Sequence, residues 1–325
     1  MQISEQELQS AVDFIKEHDD FLIVSHVQPD GDAVSSTLAV GWLLSCLGKK
    51  YAMVNEGPIP RRMSYLWHAD KIVDLSKESL PHTYKHVICV DCADFKRVGT
   101  TREYFDGDAL LLNIDHHPTN DGYGSVNLIV PDAAATAEIL FDVLECAGVE
   151  LDKDAATAIY TGILTDTGGF RYSNTSPKVM SIASRLLEYG VDGPWLSEQL
   201  LEQMTYPQLR ILTKALNKLE CTEDGKISWV SITDEDLAEA GAIHEDLEGI
   251  VNYPRNISGV EVGMLFKVIN GNAVKVSMRS AGKVNVAAVA QSFGGGGHVR
   301  AAGARLEGTL SEVVAAVVER VKQEL

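Results

Sequence analysis

Three apolar runs of strand length end on metal-binding side chains, and this repetition restricts the fold more than any other feature of the chain. Residues 21–25 lead into His26-Val27-Gln28-Pro29-Asp30-Gly31-Asp32, residues 87–90 into Asp91, and residues 109–114 into Asp115-His116-His117. Open α/β sheets place their sites just past the carboxyl ends of strands. Carboxylate and imidazole are the ligands that hold Mn²⁺, Fe²⁺ or Zn²⁺. Asp166, in Leu164-Thr165-Asp166-Thr167-Gly168-Gly169-Phe170, adds a further acid. Four carboxylates (Asp30, Asp32, Asp91, Asp166) with His26 and His116 suffice for a dinuclear site.

Between the apolar runs lie amphipathic segments, the alternation expected of βαβ units and a mostly parallel sheet. Residues 33–47 read as a helix closed by Gly48, with Leu38, Trp42, Leu43 and Leu44 near helical spacing; further helices are expected over 133–147 and 154–164. Residues 190–217 are helical in composition but interrupted by Pro194 and Pro207, which suggests an inter-domain connection. Beyond it, 227–232, 260–269 and 273–279 read as strands, and 286–292 and 310–323 as helices. The fold class is α/β, with a main domain over 1–190, a helical linker over 191–217 and a smaller α/β C-terminal domain over 218–325. The length of 325 residues and 45% apolar content support about two domains.

The motifs His-x-x-Pro-Asp-Gly-Asp-Ala from His26, Val90-Asp91-Cys92-Ala93-Asp94, Arg97-Val98-Gly99 and Asp115-His116-His117 resemble the DHH phosphoesterase superfamily. Phe293-Gly294-Gly295-Gly296-Gly297-His298 and Ala301-Ala302-Gly303 resemble its associated C-terminal domain, so the likeness spans nearly the whole chain. Among its branches, the short two-domain form resembles the bacterial nanoRNase and 3′-phosphoadenosine-5′-phosphate phosphatase group. This resemblance implies a metal-dependent hydrolase of very short RNAs and of 3′-phosphoadenosine 5′-phosphate. It implies that His26, Asp30 and Asp91 hold one ion and Asp32, Asp91, His116 and Asp166 the other, with Asp91 bridging and a hydroxide activated between two ions. Mn²⁺ leads, although Fe²⁺, Co²⁺ and Zn²⁺ suit the same ligands. By the same resemblance His117 contacts the scissile phosphate, Asp115 orients a metal-ligand histidine, and Arg279, His298 and Arg300 bind substrate. Gly295 and Gly296 would let backbone N–H groups approach an anion.

The formal charge of −18 argues against a broad grip on long nucleic acid, which needs a basic surface, but leaves short anionic substrates open. Two other readings share the motifs: a phosphodiesterase of cyclic dinucleotides or their linear products, and a non-catalytic nucleotide-binding module. A pyrophosphatase of the DHH type fits less well, because the glycine-rich run with His298 points to nucleotides. Cys89-x-x-Cys92 has redox spacing, yet there is no second such pair and Asp91 lies between the thiols, so core packing is the simpler reading. His82 and His86 read as a solvated pair. Five dispersed cysteines, a polar start over residues 1–10 and no apolar run near the ~20 residues of a bilayer span suggest a cytoplasmic protein without membrane association. A homodimer is compatible with this reading.

Overall fold

The computed structural model describes residues 3–269 and 271–325. Its first six strands are β1 (Phe21–Val24), β2 (Tyr51–Asn55), β3 (Ile72–Asp74), β4 (Tyr84–Val90), β5 (Phe105–Asp115) and β6 (Val126–Ile129), in the order β3-β2-β1-β4-β5-β6. All neighbouring pairs are parallel. Successive side chains enter different cores: Phe21, Ile23, Ile88 and Val90 one, and Leu22, Val24, Val87 and Cys89 the other. Burial on both faces is why these strands read as continuous apolar runs rather than alternating ones.

Around this sheet are α1 (Glu5–Glu17), α2 (Gly31–Cys46), α3 (Thr136–Ala147), α4 (Lys153–Asp166), α5 (Pro177–Glu188) and α6 (Gly193–Ser197). Helix α2 is buried from Gly31 to Leu44 and packs against α3 and α4, so it is buried all round instead of amphipathic. Helix α3 begins at Thr136, three residues later than expected, because a preceding turn uses its backbone to hold other groups, as described below.

The chain divides into two compact units, the first ending at Gln203 and the second running over Met204–Leu325. Pro194 and Pro207 do not interrupt helices. Each lies in the first turn of one, α6 and α7 (Tyr206–Asn217), where the missing N–H costs nothing. Leu196 joins the core of the first unit, and Ile211, Leu212 and Ala215 of α7 join a core of the second.

The second unit contains β7 (Glu220–Cys221), β8 (Ile227–Ile232), β9 (Val262–Ile269), β10 (Ala273–Ser280), β11 (Gly296–His298) and β12 (Ala301–Glu307), in the order β11-β12-β10-β9-β8-β7. Only β8 and β9 pair in parallel. One face packs on α10 (Val286–Gln291) and α11 (Leu310–Lys322), with Val274, Val276 and Met278 in that core. On the other face α7, with α8 (Asp234–Ala240) and α9 (Asn252–Arg255), covers β8 and β9. Among the described residues no helix is long and apolar enough to cross a membrane.

Candidate metal centre

Strand order in the first sheet reverses between β1 and β4, the switch point at which open α/β sheets bind ligands. His26 and Asp30 follow β1, Asp91 follows β4, and His116 and His117 follow β5. Asp30 caps α2, accepting from the Asp32 and Ala33 N–H groups at 3.1 and 3.2 Å. Asp91 sits at φ 52°, a left-handed turn that its N–H stabilises by donating to the Ile114 carbonyl at 3.0 Å.

These turns bring the expected ligands into two overlapping groups. His26 Nε2 lies 3.8 Å from Asp30 Oδ2 and 3.5 Å from Asp91 Oδ2. His116 Nε2 lies 4.0 Å from Asp32 Oδ2, 3.6 Å from Asp91 Oδ1 and 3.3 Å from Asp166 Oδ2. Asp91 therefore faces both histidines with different oxygens. Asp166 arrives from the last turn of α4 instead of a strand end.

The histidines are oriented from behind. Nδ1 of His26 faces the Val27 carbonyl at 2.9 Å, and Nδ1 of His116 faces the Ala133 carbonyl at 3.2 Å. A carbonyl only accepts, so each Nδ1 donates and Nε2 is the ring nitrogen that faces the carboxylates, the one that would turn to a metal ion on losing its proton. Asp115 is fully buried and accepts from His117 Nδ1 at 2.8 Å, so it orients the expected substrate-side histidine and not, as expected, a ligand histidine: His26 and His116 rest on backbone carbonyls instead.

The electrostatics ask for positive charge. Burial disfavours charge on Asp32 and, with repulsion from Asp91 and Asp30, pushes its carboxyl well above the usual range. Burial, with repulsion from Asp32, Asp30 and Asp91, does this to Asp166. For Asp91 and Asp30 burial acts in the same direction, but hydrogen bonding to His26 outweighs it and holds both below the usual carboxylate range. Asp30 has a side chain 55% exposed, so solvent screens it most. Burial works against a charged His26, yet Asp30 and Asp91 prevail and push its pKa up to about 10. Crowded carboxylates, paired with imidazole lone pairs, fit divalent cations.

Some supporting residues escaped the sequence reading. The Thr136 and Ala137 N–H groups donate to Asp32 at 2.6 and 3.0 Å, and Thr136 Oγ1 donates to Asp91 Oδ1 at 3.3 Å. Asp32 thus caps α3 from another helix, in place of Ala135, which has no capping side chain. Asn120 Nδ2 donates to Asp115 Oδ2 at 2.6 Å and to the Cys92 carbonyl at 3.2 Å, tying the His117 partner to the Asp91 turn. Glu138 accepts from Ala134 N–H at 2.7 Å beside the carbonyl that holds His116. A polar residue following a helix start without a cap, as at Ala135-Thr136, was the available signal.

The remaining expected residues lie in the second unit. Arg279 is on β10, Gly296 and His298 are on β11, Gly295 precedes it, and Arg300 lies in the β11–β12 turn. A side chain at Gly295 would run into the backbone of Gly303 and Ala304, so this glycine serves strand packing; nothing lies within 4 Å of a side chain at Gly296. Arg300 packs over Gly282. Cys89 and Cys92 are buried, His82 pairs with Asp20 at 3.2 Å, and His86 Nδ1 faces the Asp19 carbonyl at 2.8 Å.

A Rossmann-like sheet with acids and imidazoles at its switch point, followed by a mixed sheet with a glycine-rich edge, defines a two-domain metal-dependent phosphoesterase. The chain belongs to the DHH family: the DHH family N-terminal domain matches residues 20–163 and the DHHA1 domain residues 214–325. It is 36% identical over 306 residues to the bifunctional oligoribonuclease and PAP phosphatase NrnA of Thermus thermophilus, covering 93% of this chain and 89% of that one. The protein of the same name from Bacillus subtilis is 28% identical, with 89% and 90% covered. The crystal structure of an exopolyphosphatase-related protein from Bacteroides fragilis superposes with a TM-score of 0.90 at 26% identity, covering 99% and 97%.

Proposed function

We propose that this chain hydrolyses short oligoribonucleotides and 3′-phosphoadenosine 5′-phosphate in the cytoplasm, using two divalent ions, Mn²⁺ foremost. The observation that carries the reading is Asp91, a buried carboxylate whose two oxygens face different histidines at 3.5 and 3.6 Å. His26, Asp30 and Asp91 would hold one ion, and Asp32, Asp91, His116 and Asp166 the other. Bound there, such a pair supplies a nucleophile at neutral pH and opposes charge developing on a phosphoryl oxygen. Asp115 keeps the His117 Nδ1–H donated inwards, which leaves Nε2 for the substrate side, and Asn120 holds Asp115 in turn. Arg279, His298 and Arg300 are the proposed nucleotide contacts. Likeness over almost the full length to relatives named for both activities supports this choice of substrates.

The test is turnover with added Mn²⁺ on an RNA dinucleotide, 3′-phosphoadenosine 5′-phosphate, a cyclic dinucleotide and pyrophosphate. Highest kcat/KM on the first two is expected. A clear preference for the cyclic dinucleotide or pyrophosphate, or no turnover at all, overturns the reading.

A further inference from the structure

The residues proposed for one ion, Asp32, Asp91, His116 and Asp166, belong to separate stretches of chain, yet three of them meet one short segment. The Thr136 and Ala137 N–H groups donate to Asp32, Thr136 Oγ1 donates to Asp91, and the Ala133 carbonyl accepts from His116 Nδ1. Asp166 is joined to the same segment by a side chain outside the ligand set. Asn174 Nδ2 donates both to the Ala134 carbonyl and to the Asp166 carbonyl, each at 3.1 Å.

The Asp166 carbonyl needs such a donor. It lies in the last turn of α4, where carbonyls lack helical partners, and the N–H four residues on, that of Phe170, donates to Thr167 Oγ1 at 3.0 Å instead. Gly168, Gly169 and Phe170 follow one another in left-handed backbone, at φ 57°, 74° and 60°, and turn the chain back. The Phe170 ring anchors the turn against Tyr160, with centroids 5.9 Å apart. Asn174, eight residues beyond Asp166, thereby returns to its carbonyl.

Both acceptors are carbonyls, which fixes the amide: its NH₂ faces them, and Oδ1 is buried with no hydrogen-bond partner. The side chain therefore acts through its two donors. Ala134 is gripped from its other side as well, because Glu138 Oε2 accepts from its N–H at 2.7 Å. With that peptide fixed, Asn174 sets where the end of α4 sits against the neighbouring Ala133 carbonyl, which aims His116. His116 Nε2 and Asp166 Oδ2 are 3.3 Å apart. His26 and Asp30, proposed for the other ion, are held elsewhere, by the Val27 carbonyl and by the N-terminus of α2.

On the two-ion reading of the site, on which this rests, we propose that Asn174 is a positioning residue for one ion of the pair. It holds Asp166 where it can share a cation with His116, and it takes no part in holding the ion between His26 and Asp30.

Mn²⁺ binding by calorimetry tests this in two single-ion backgrounds, Asp30→Asn, which leaves the His116 ion, and His116→Ala, which leaves the His26 ion. Asn174→Leu keeps the bulk and removes both donors. Asn174→Ala is the second variant should leucine not be accommodated, and a cooperative melt of the metal-free protein checks folding. With Asp30→Asn, either substitution should raise the Mn²⁺ Kd at least about tenfold, the lower end of the loss when a group that orients a metal ligand is removed. With His116→Ala, Kd should move by less than about twofold, as for independent sites. In the otherwise wild-type protein one of the two Kd values should rise and the other stay, which decides the matter should a background bind no ion. The Mn²⁺ concentration for half-maximal turnover of an RNA dinucleotide should rise in step, with the dinucleotide KM at saturating Mn²⁺ unmoved. Equal weakening of both ions would mean a general loosening, and no weakening of either would mean no link to the metal; both results overturn the role of Asn174 and leave the hydrolase reading intact. Wild type that binds two Mn²⁺ ions but hydrolyses no nucleotide overturns the hydrolase reading, and the Kd comparison still decides Asn174. Fewer than two ions bound by wild type overturns the two-ion reading and the role of Asn174 with it.

Discussion

Asp91 holds a backbone conformation that non-glycine residues seldom adopt, with Asp and Asn the common exceptions, and the φ of 52° is what aims its carboxylate between His26 and His116. The surroundings hold that turn: its N–H is tied to Ile114, and both Asn120 and Tyr123 donate to the next carbonyl, that of Cys92. Asn tolerates the same conformation, so Asp91→Asn should fold normally and lose only the charge. We expect kcat to fall at least about 100-fold and Mn²⁺ affinity by calorimetry to drop, since the proposed shared ligand would be lost. A folded variant with more than about a tenth of wild-type turnover would remove the bridging role. Asp91 was legible because an acid directly after an apolar run has no packing reason to be there. Asn120 and Thr136 were not, because the Cys92 carbonyl that Asn120 meets and the Asp32 and Asp91 carboxylates that Thr136 meets lie far away in sequence, and only the fold brings them together.

Elements were readable wherever local chemistry decides them. The expected strand over 227–232 coincides with β8, and α11 ends one residue short of the expected boundary. The start of α3 was misplaced because its cap, Asp32, comes from another helix, information that no local window contains. Glu261 poses the same difficulty in the second unit. One oxygen, Oε1, accepts from Ser280 Oγ at 3.1 Å and from the N–H groups of Gly282, Lys283 and Val284 at 3.0, 2.6 and 3.1 Å, stapling the loop between β10 and α10. Burial raises this acid's pKa, but the backbone donors, Lys283 first, outweigh it and hold the group below its ordinary value. A carboxyl depressed in the folded state stabilises above its unfolded pKa, about 4.3, and loses that contribution as pH falls through its lower folded pKa. Glu261→Gln should therefore cost about 1.5–3 kcal/mol at pH 7, the range for hydrogen bonds to a charged group. Urea unfolding at pH 7 and near pH 3 checks this: the gap between wild type and variant should shrink in acid. An equal gap at both values would show that the negative charge contributes nothing.

At the scale of the molecule, charge bears on stability and on the proposed choice of substrate. Asp32, Asp91 and Asp166 crowd one buried site, so verified metal removal should lower the melting temperature. Ligand at about 100 times its Kd contributes about 2.7 kcal/mol, which for a unit of this size corresponds to about 5–10 °C. Coincident melting curves for metal-free and Mn²⁺-loaded protein, by calorimetry, would argue against a cation site there. The second consequence concerns length. A surface of net charge −18 repels a polyanion in proportion to the phosphates it must accept, while the proposed contacts Arg279, His298 and Arg300 could serve only a few of them. Each nucleotide beyond that short track adds repulsion without a partner. Efficiency should therefore be greatest for RNAs of about two to five nucleotides and fall with further length, more steeply at low salt where screening is weak. Measuring kcat/KM on RNAs from a dinucleotide to a 24-mer, at about 20 and 200 mM salt with saturating Mn²⁺, separates this from selection by shape. A length dependence identical at both salt concentrations would mean that steric exclusion, not charge, sets the limit, and equal efficiency at every length would end the short-substrate reading altogether.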